Sequence, residues 1–267
     1  MPDQIERSEG SRLFGSNPQG YANSRPHYPD WIFQRLRDDG ALWQGASTLE
    51  IGPGTGLATQ RLLEYGANPL LLVEPDERFA DTLMATSRPH DADCRVVHES
   101  FEMAELANHE FDLIVSATAF HWIEAIPGLQ KMRRLLKPRG VVALFWNVLQ
   151  DLDKPDAFHD ATASLLAPLA TSPSGAPKSL PYALDRTARQ ADAKAAGFNR
   201  IEYHESRWTH RITAQQVGEL YEGFSHIQRL DPVARTSLLS RLVEVAESQF
   251  NGLVERNVTT SLYLISE

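Results

Sequence analysis

From Thr48 onward two kinds of hydrophobic pattern take turns along the chain. Short continuous apolar runs, "TLEI" (48–51), "PLLLVEPD" (69–76), "RVVHES" (95–100), "FDLIVSATAF" (111–120) and "GVVALFWN" (140–147), read as strands. Apolar runs without polar alternation suit parallel strands covered on both faces. Between them lie stretches at helical spacing. "LATQRLLEYG" (57–66) closes on Gly66 as a C-cap, and "ERFADTLMATS" (77–87) follows the second strand. A stripe of Ile126, Leu129, Met132, Leu135 and Leu136 is stopped by Pro138 and Gly140. Ahead of the first strand, Ile32, Phe33 and Leu36 predict a short helix from Trp31, with Asp30 as its cap. Strands alternating with helices in units of roughly twenty to thirty residues predict an open, Rossmann-like α/β sheet built from right-handed βαβ crossovers.

Beyond Asn147 the pattern changes. Residues 155–168 read as helix, and "TSPSGAPKSLP" (171–181) is a loop rich in turn residues. "DRTARQADAKAAGF" reads as helix and "NRIEYHESRWTHRI" as a strand pair or one bent strand. Thr213 with Gln216 has the form of a capping box opening a helix through Tyr221. Asp231–Pro232 opens a longer amphipathic helix to about Phe250, and "VTTSLYLIS" closes the chain as a strand. The segments therefore divide into an N-terminal arm and helix (1–45), a core (46–149), a helical and loop insertion (150–195) and a part that completes the sheet (196–267).

Composition narrows the function classes. The 267 residues are 42% hydrophobic and 23% charged, the balance of a globular protein with a sizeable core. A net charge of −9, with no Lys/Arg cluster, argues against nucleic acid and against a membrane surface as partners. No apolar run reaches the ~18 residues of a membrane span, and the N-terminus lacks the apolar stretch of a signal peptide, so a cytoplasmic protein is expected. A single cysteine, Cys94, forms no intrachain disulfide and reads as a plain buried or edge thiol. The histidines show no metal spacing, so no metal is expected.

The candidate chemistry begins at "EIGPGTG" (50–56). Glycines 52, 54 and 56 let backbone approach a ligand where no Cβ stands in the way, at the turn from first strand to first helix. The spacing G-x-G-x-G differs from the G-x-G-x-x-G of dinucleotide sites. Glu50, two residues ahead of the first glycine, repels a pyrophosphate and suits a cationic amine or sulfonium. Glu74, twenty-two residues beyond Gly52 at the end of the second strand, is placed to accept both hydrogen bonds of a ribose diol. A nucleoside with a free ribose and no phosphate requirement, such as S-adenosylmethionine, answers that description better than a nicotinamide dinucleotide.

Taken in order, "LEIGPGTG", "LLLVEPD", "ESFEMAEL", "FDLIVSATAFHWIE" and "LLKPRGVVALFWN" resemble the class I S-adenosylmethionine-dependent methyltransferases, and among them the small-molecule, trans-aconitate methyltransferase-like branch. The resemblance is clear over residues 48–147. It implies a seven-stranded, mostly parallel sheet with an antiparallel last strand, here "VTTSLYLIS", and helices on both faces. It also implies that Glu50 and the turn of Gly52, Gly54 and Gly56 line the methionine and ribose portions of the cofactor. Glu74 would take the ribose diol with Pro75 beside the adenine, Ser100 and Phe101 the adenine edge, and Ala117 the passage of the sulfonium. In "YANSRPHYP", Tyr21 and Arg25 match residues that close over the methionine carboxylate.

On the acceptor side the residues read two ways. His121 and Trp122, just past the fourth strand, either orient the acceptor, with His121 as a possible base, or serve as a helix cap and a core filler. Tyr28, beside Arg25 and His27, either contacts an anionic acceptor or belongs to a rigid turn, and Trp146 either lines the acceptor pocket or is buried. The expected activity is methyl transfer to a small carboxylate or hydroxyl metabolite, by a monomer or homodimer. The rival readings are an NAD(P)-dependent oxidoreductase and a catalytically silent cofactor-binding module.

Overall fold

The computed structural model describes residues 5–10, 25–87, 92–174 and 180–267. The apolar runs form strands where the sequence places them: β1 (Ala46–Ile51), β2 (Ala67–Val73), β3 (Cys94–Val97), β4 (Phe111–Ala117) and β5 (Leu136–Val148). All six residues of β1 are buried, as a strand with parallel neighbours on both sides requires. It pairs in parallel with β2 (Glu50 opposite Leu72) and with β4 (Glu50 opposite Val115), and β5 continues the parallel ladder beyond β4. β3 is the outer strand, and Cys94 opens it half-buried. The full sheet has seven strands in the order β3-β2-β1-β4-β5-β7-β6, with the last strands antiparallel and helices around it; β6 is Arg200–Thr213 and β7 is Leu253–Ser266. The expected seven-stranded mixed sheet is therefore present.

Contacts divide the chain into two compact units, each assembled from three stretches. One comprises residues 27–146, 182–205 and 261–267; the other comprises residues 1–26, 147–181 and 206–260. The first unit holds α1 (Asp30–Asp38), α2 (Leu57–Glu64), α3 (Ala80–Ser87), α4 (Ala125–Leu135) and α6 (Arg186–Ala195), with β1 to β4 and most of β5. Its core is the apolar pattern read from the sequence: Ile32, Phe33, Leu36, Leu49, Leu62, Leu113, Leu129, Met132 and Leu135 are buried. The second unit holds α5 (Ala157–Leu166), α7 (Ala214–Glu222) and α8 (Pro232–Phe250), whose buried residues Phe158, Val217, Leu220 and Leu242 cluster with Ile227 and with Val254 of β7. Within that cluster lies an ion pair. Arg256 donates to Asp156 (2.8 Å) and to the Tyr221 hydroxyl (2.7 Å), while the other oxygen of Asp156 caps α5 by accepting from the His159 amide (2.9 Å). Every polar group there has a partner, as burial demands.

Local signals held where the partner is local. Gly66, at φ 98°, follows α2, and its amide closes on the Leu63 carbonyl. The Thr213–Gln216 capping box forms reciprocally, and the Asp231 side chain accepts from the amides of Val233 and Ala234. Asp30 differs from its expected role: helix α1 begins at Asp30 itself after Pro29, with no side-chain cap. Its carboxylate is taken by Arg61, by Gln34 (2.5 Å) and by the Tyr65 hydroxyl (2.9 Å), so charged and phenolic partners outcompete the helix amides. "NRIEYHESRWTHRI" is one long strand, and β5 begins at Leu136, one residue inside the expected helical stripe.

Candidate active site

The carboxyl ends of β1, β2 and β4 bring most of the candidate residues together in the first unit. Past Ile51 the chain leaves the ladder with one more hydrogen bond, Gly52 amide to Val73 carbonyl (2.9 Å), and turns through Gly52 (φ 67°), Gly54 (φ 56°) and Gly56 (φ 85°) into α2. These glycines are needed for different reasons. A Cβ on Gly52 would lie 2.6 Å from the Cβ of Ala119, so only glycine lets the turn meet the segment after β4. A Cβ on Gly54 would meet nothing within 4 Å, which leaves open space above the turn.

Two carboxyls flank that turn. Glu50 is fully buried on β1. Its Oε2 accepts from the Thr59 hydroxyl on α2 at 2.7 Å, and its Oε1 accepts no hydrogen bond among the described residues. Burial pushes its pKa up to about 8, partly offset by the Thr59 bond and reinforced by the nearby Glu74 charge. Glu74, 5% exposed, accepts from the amide of Gly54 on one oxygen (3.0 Å) and from the amide of Asp76 on the other (3.0 Å). Burial lifts its pKa to about 7, against the two amide bonds that lower it, with the Asp76 charge adding to the rise. Glu74 thus holds the glycine turn and the end of β2 together. Pro75 next to it is exposed.

Phe101 is buried and Ser100 half-buried in a turn where the amides of Met103 and Ala104 both donate to the Ser100 carbonyl. Lys131 of α4 pins this turn. Its ammonium donates to the carbonyls of Phe101 (2.5 Å) and Ala104 (2.7 Å) and lies 4.8 Å from the centre of the Phe101 ring. Desolvation foremost lowers its pKa. Nothing near Lys131 in the sequence marks it for this, since its partners lie about thirty residues away.

Ala117 ends β4, half-buried, and the next residue, Thr118, has φ 56°. A β-branched residue in that region is strained, and single residues of this kind collect at functional sites. Sequence reading missed Thr118, because its conformation is imposed by partners far along the chain. His121 is buried in the turn Phe120–Trp122, where its Nδ1 accepts from the Trp146 indole N–H at 3.3 Å. It does not cap the following helix, whose N-cap position is Glu124. Half-buried Trp122 lies 5.2 Å from the His121 ring, and Trp146, 2% exposed, faces Tyr182 at 5.9 Å. Tyr28 packs edge-on to Phe145 (4.9 Å) and donates its hydroxyl to Thr118 Oγ1 at 2.8 Å. Arg25 belongs to the other unit. There its guanidinium stacks 4.5 Å above the Phe224 ring and donates to the Gly223 carbonyl. Tyr21 lies outside the described residues.

Comparison with known proteins accords with this geometry. Residues 49–144, from β1 into β5, match the family model described as a methyltransferase domain. An uncharacterized methyltransferase of Schizosaccharomyces pombe is 25% identical over 258 residues, spanning 94% of this chain and 96% of the yeast protein. Among solved structures, the Haemonchus contortus phosphoethanolamine N-methyltransferase 2 in complex with S-adenosylmethionine superposes with a TM-score of 0.52 at 17% identity, over 94% of this chain and 57% of that one. The [4+2]-cyclase SpnF superposes with a TM-score of 0.57 at 12% identity, over 100% and 97% of the two chains. At such identities these structures share the fold with this chain and nothing more. Described residues include no helix long and apolar enough to cross a membrane. The glycine turn and the acidic residue after β2 both lie within residues 49–144, the segment that matches the methyltransferase-domain model.

Proposed function

We propose that the protein transfers a methyl group from S-adenosylmethionine to a small metabolite, with a carboxylate as the favoured acceptor. The observation that carries the reading is the pair of buried carboxyls on either side of an open glycine turn. Glu50 keeps one buried oxygen uncommitted, which suits the ammonium of the methionine portion once the carboxyl gives up its proton. Glu74 has the position and acceptor capacity for a ribose diol. It would exchange its bonds to the Gly54 and Asp76 amides for, or share them with, the two hydroxyls. Ser100, Phe101 and Pro75 flank the adenine in this arrangement, and Ala117 passes the sulfonium.

When bound, the cofactor supplies an electrophilic methyl group on sulfur for in-line displacement. The chain supplies alignment and a site without water. His121 has its Nδ1 lone pair engaged by the Trp146 indole, which leaves the proton of the neutral ring on Nε2. That makes it an orienting donor for an acceptor oxygen rather than a proton-removing base. A carboxylate needs no base, whereas an alcohol does, and this favours the carboxylate. Trp122 and Trp146 with Tyr28 would form the walls.

Parallel calorimetric titration with S-adenosylmethionine, S-adenosylhomocysteine and NADPH tests the cofactor. Micromolar binding of the first two and none of the third is expected. Binding of NADPH alone would replace the reading with an oxidoreductase. A screen of small carboxylic acids then tests the acceptor. His121→Ala is expected to raise KM for the acceptor about tenfold, the loss of a hydrogen bond to a charged group, and an unchanged KM would remove His121 from the site.

A further inference from the structure

We infer that Tyr28 and Thr118 form a latch that holds the segment after β4 in a strained, cofactor-ready conformation. The inference rests on the reading that S-adenosylmethionine occupies the glycine turn. Thr118 is one of four described non-glycine residues at positive φ, and the only β-branched one. At φ 56° its side chain and backbone crowd each other, a cost that persists only where the surroundings over-determine it. Three contacts do so here. The Thr118 amide donates to the Phe145 carbonyl at 2.8 Å, one residue beyond the β4–β5 register. The Thr118 hydroxyl accepts from Tyr28 at 2.8 Å. The next residue, Ala119, abuts Gly52 so closely that any Cβ there would collide.

The Thr118 amide bond and the contact of the Ala119 Cβ with Gly52 do not use the side chain at 118. The hydroxyl bond alone requires these two side chains. Asparagine or glycine would adopt φ 56° at lower cost, yet the position carries threonine, whose Oγ1 gives Tyr28 an acceptor. Tyr28 is itself fixed by its edge-on contact with Phe145 and lies just ahead of α1. The latch therefore ties the residues before α1 to the end of β4, and through Ala119 to the first glycine of the turn. Tyr28 and Thr118 act as positioning residues. They keep the 117–119 backbone beside Gly52 before any ligand arrives, so that binding does not have to impose the strain.

Four variants and a double variant test this by calorimetry with S-adenosylmethionine, alongside thermal melting. Tyr28→Phe keeps the ring packing and removes only the donor; Thr118→Val keeps the shape and removes only the acceptor. Each is expected to weaken binding about tenfold, with melting within a few degrees of the parent. Thr118→Ser keeps the hydroxyl and should bind as the parent does. Thr118→Gly loses the hydroxyl but takes φ 56° without strain, so it should fall between serine and valine. The double variant Tyr28→Phe/Thr118→Val should be no weaker than either single change, because one bond is lost only once. Parent-like affinity in Tyr28→Phe and Thr118→Val, or additive losses in the double variant, would overturn the latch. Failure of the parent protein itself to bind S-adenosylmethionine or S-adenosylhomocysteine would instead overturn the cofactor reading beneath it.

Discussion

Glu74 carries two tasks at the scale of a single residue. In the structure its oxygens hold the amides of Gly54 and Asp76, and in the proposed complex the same oxygens face the ribose. Replacing it with alanine removes acceptors from both. Glu74→Ala is expected to weaken S-adenosylmethionine binding by ~1.5–3 kcal/mol, the range for hydrogen bonds to a charged group. Glu74→Gln should lose less, since the amide keeps one acceptor oxygen. An unchanged dissociation constant in the alanine variant would place the ribose elsewhere. Fold stability should respond less than binding, because both amides gain access to water once the carboxylate is gone, and calorimetry with thermal melting separates the two effects.

At the scale of elements, what the sequence made legible depends on how far each determinant reaches. Strands β1, β2, β4 and β5 were legible because burial on both faces along much of each strand leaves a nearly continuous apolar run, and that demand is written residue by residue. The caps at Thr213 and Asp231 were legible because donor and acceptor lie two or three residues apart. Asp30 was misread because its partners, Arg61 and Tyr65, come from another helix or just beyond it. The glycine turn with Glu50 and Glu74 was legible by spacing, whereas the strained Thr118 and the pinning Lys131 were not, since neither role exists until distant segments meet. Lys131 shows the consequence for α4. Its ammonium satisfies carbonyls at Phe101, Glu102 and Ala104, so this helix sets the shape of the turn expected to hold the adenine. Lys131→Met keeps the stem and removes the donors. It should cost about 1–2 kcal/mol of fold stability and speed amide exchange at Met103 and Ala104, with a severalfold weaker affinity for adenosine-containing ligands. Unaltered exchange in that turn would show that it holds its shape without the lysine.

Glu50 matters at the scale of the whole molecule, because a buried carboxyl with one uncommitted oxygen opposes folding whenever it is charged. Its pKa stands near 8 in the folded chain against about 4.5 for a solvent-exposed glutamate. Between those values the native state binds more protons than the unfolded state, so this group makes stability fall as pH rises from about 4.5 to about 8. Glu74, lifted to about 7, contributes in the same direction over the lower part of that window. Glu50→Gln removes the larger part of the effect. Its melting temperature should lie close to the parent's near pH 5 and rise above it progressively toward pH 8. The same substitution should damage binding, for the uncommitted oxygen is the one proposed to meet the ligand's ammonium. At pH 7 the parent's Glu50 is mostly protonated, so a cation arriving there must drive off close to one proton. Titrations with S-adenosylhomocysteine in buffers of different ionisation enthalpy should show that release near pH 7, its decline above pH 8, and its loss in Glu50→Gln. A binding enthalpy independent of buffer at pH 7 would mean that the carboxyl is not the ammonium's partner. The instability that Glu50 brings to the free protein would then have no counterpart in the complex.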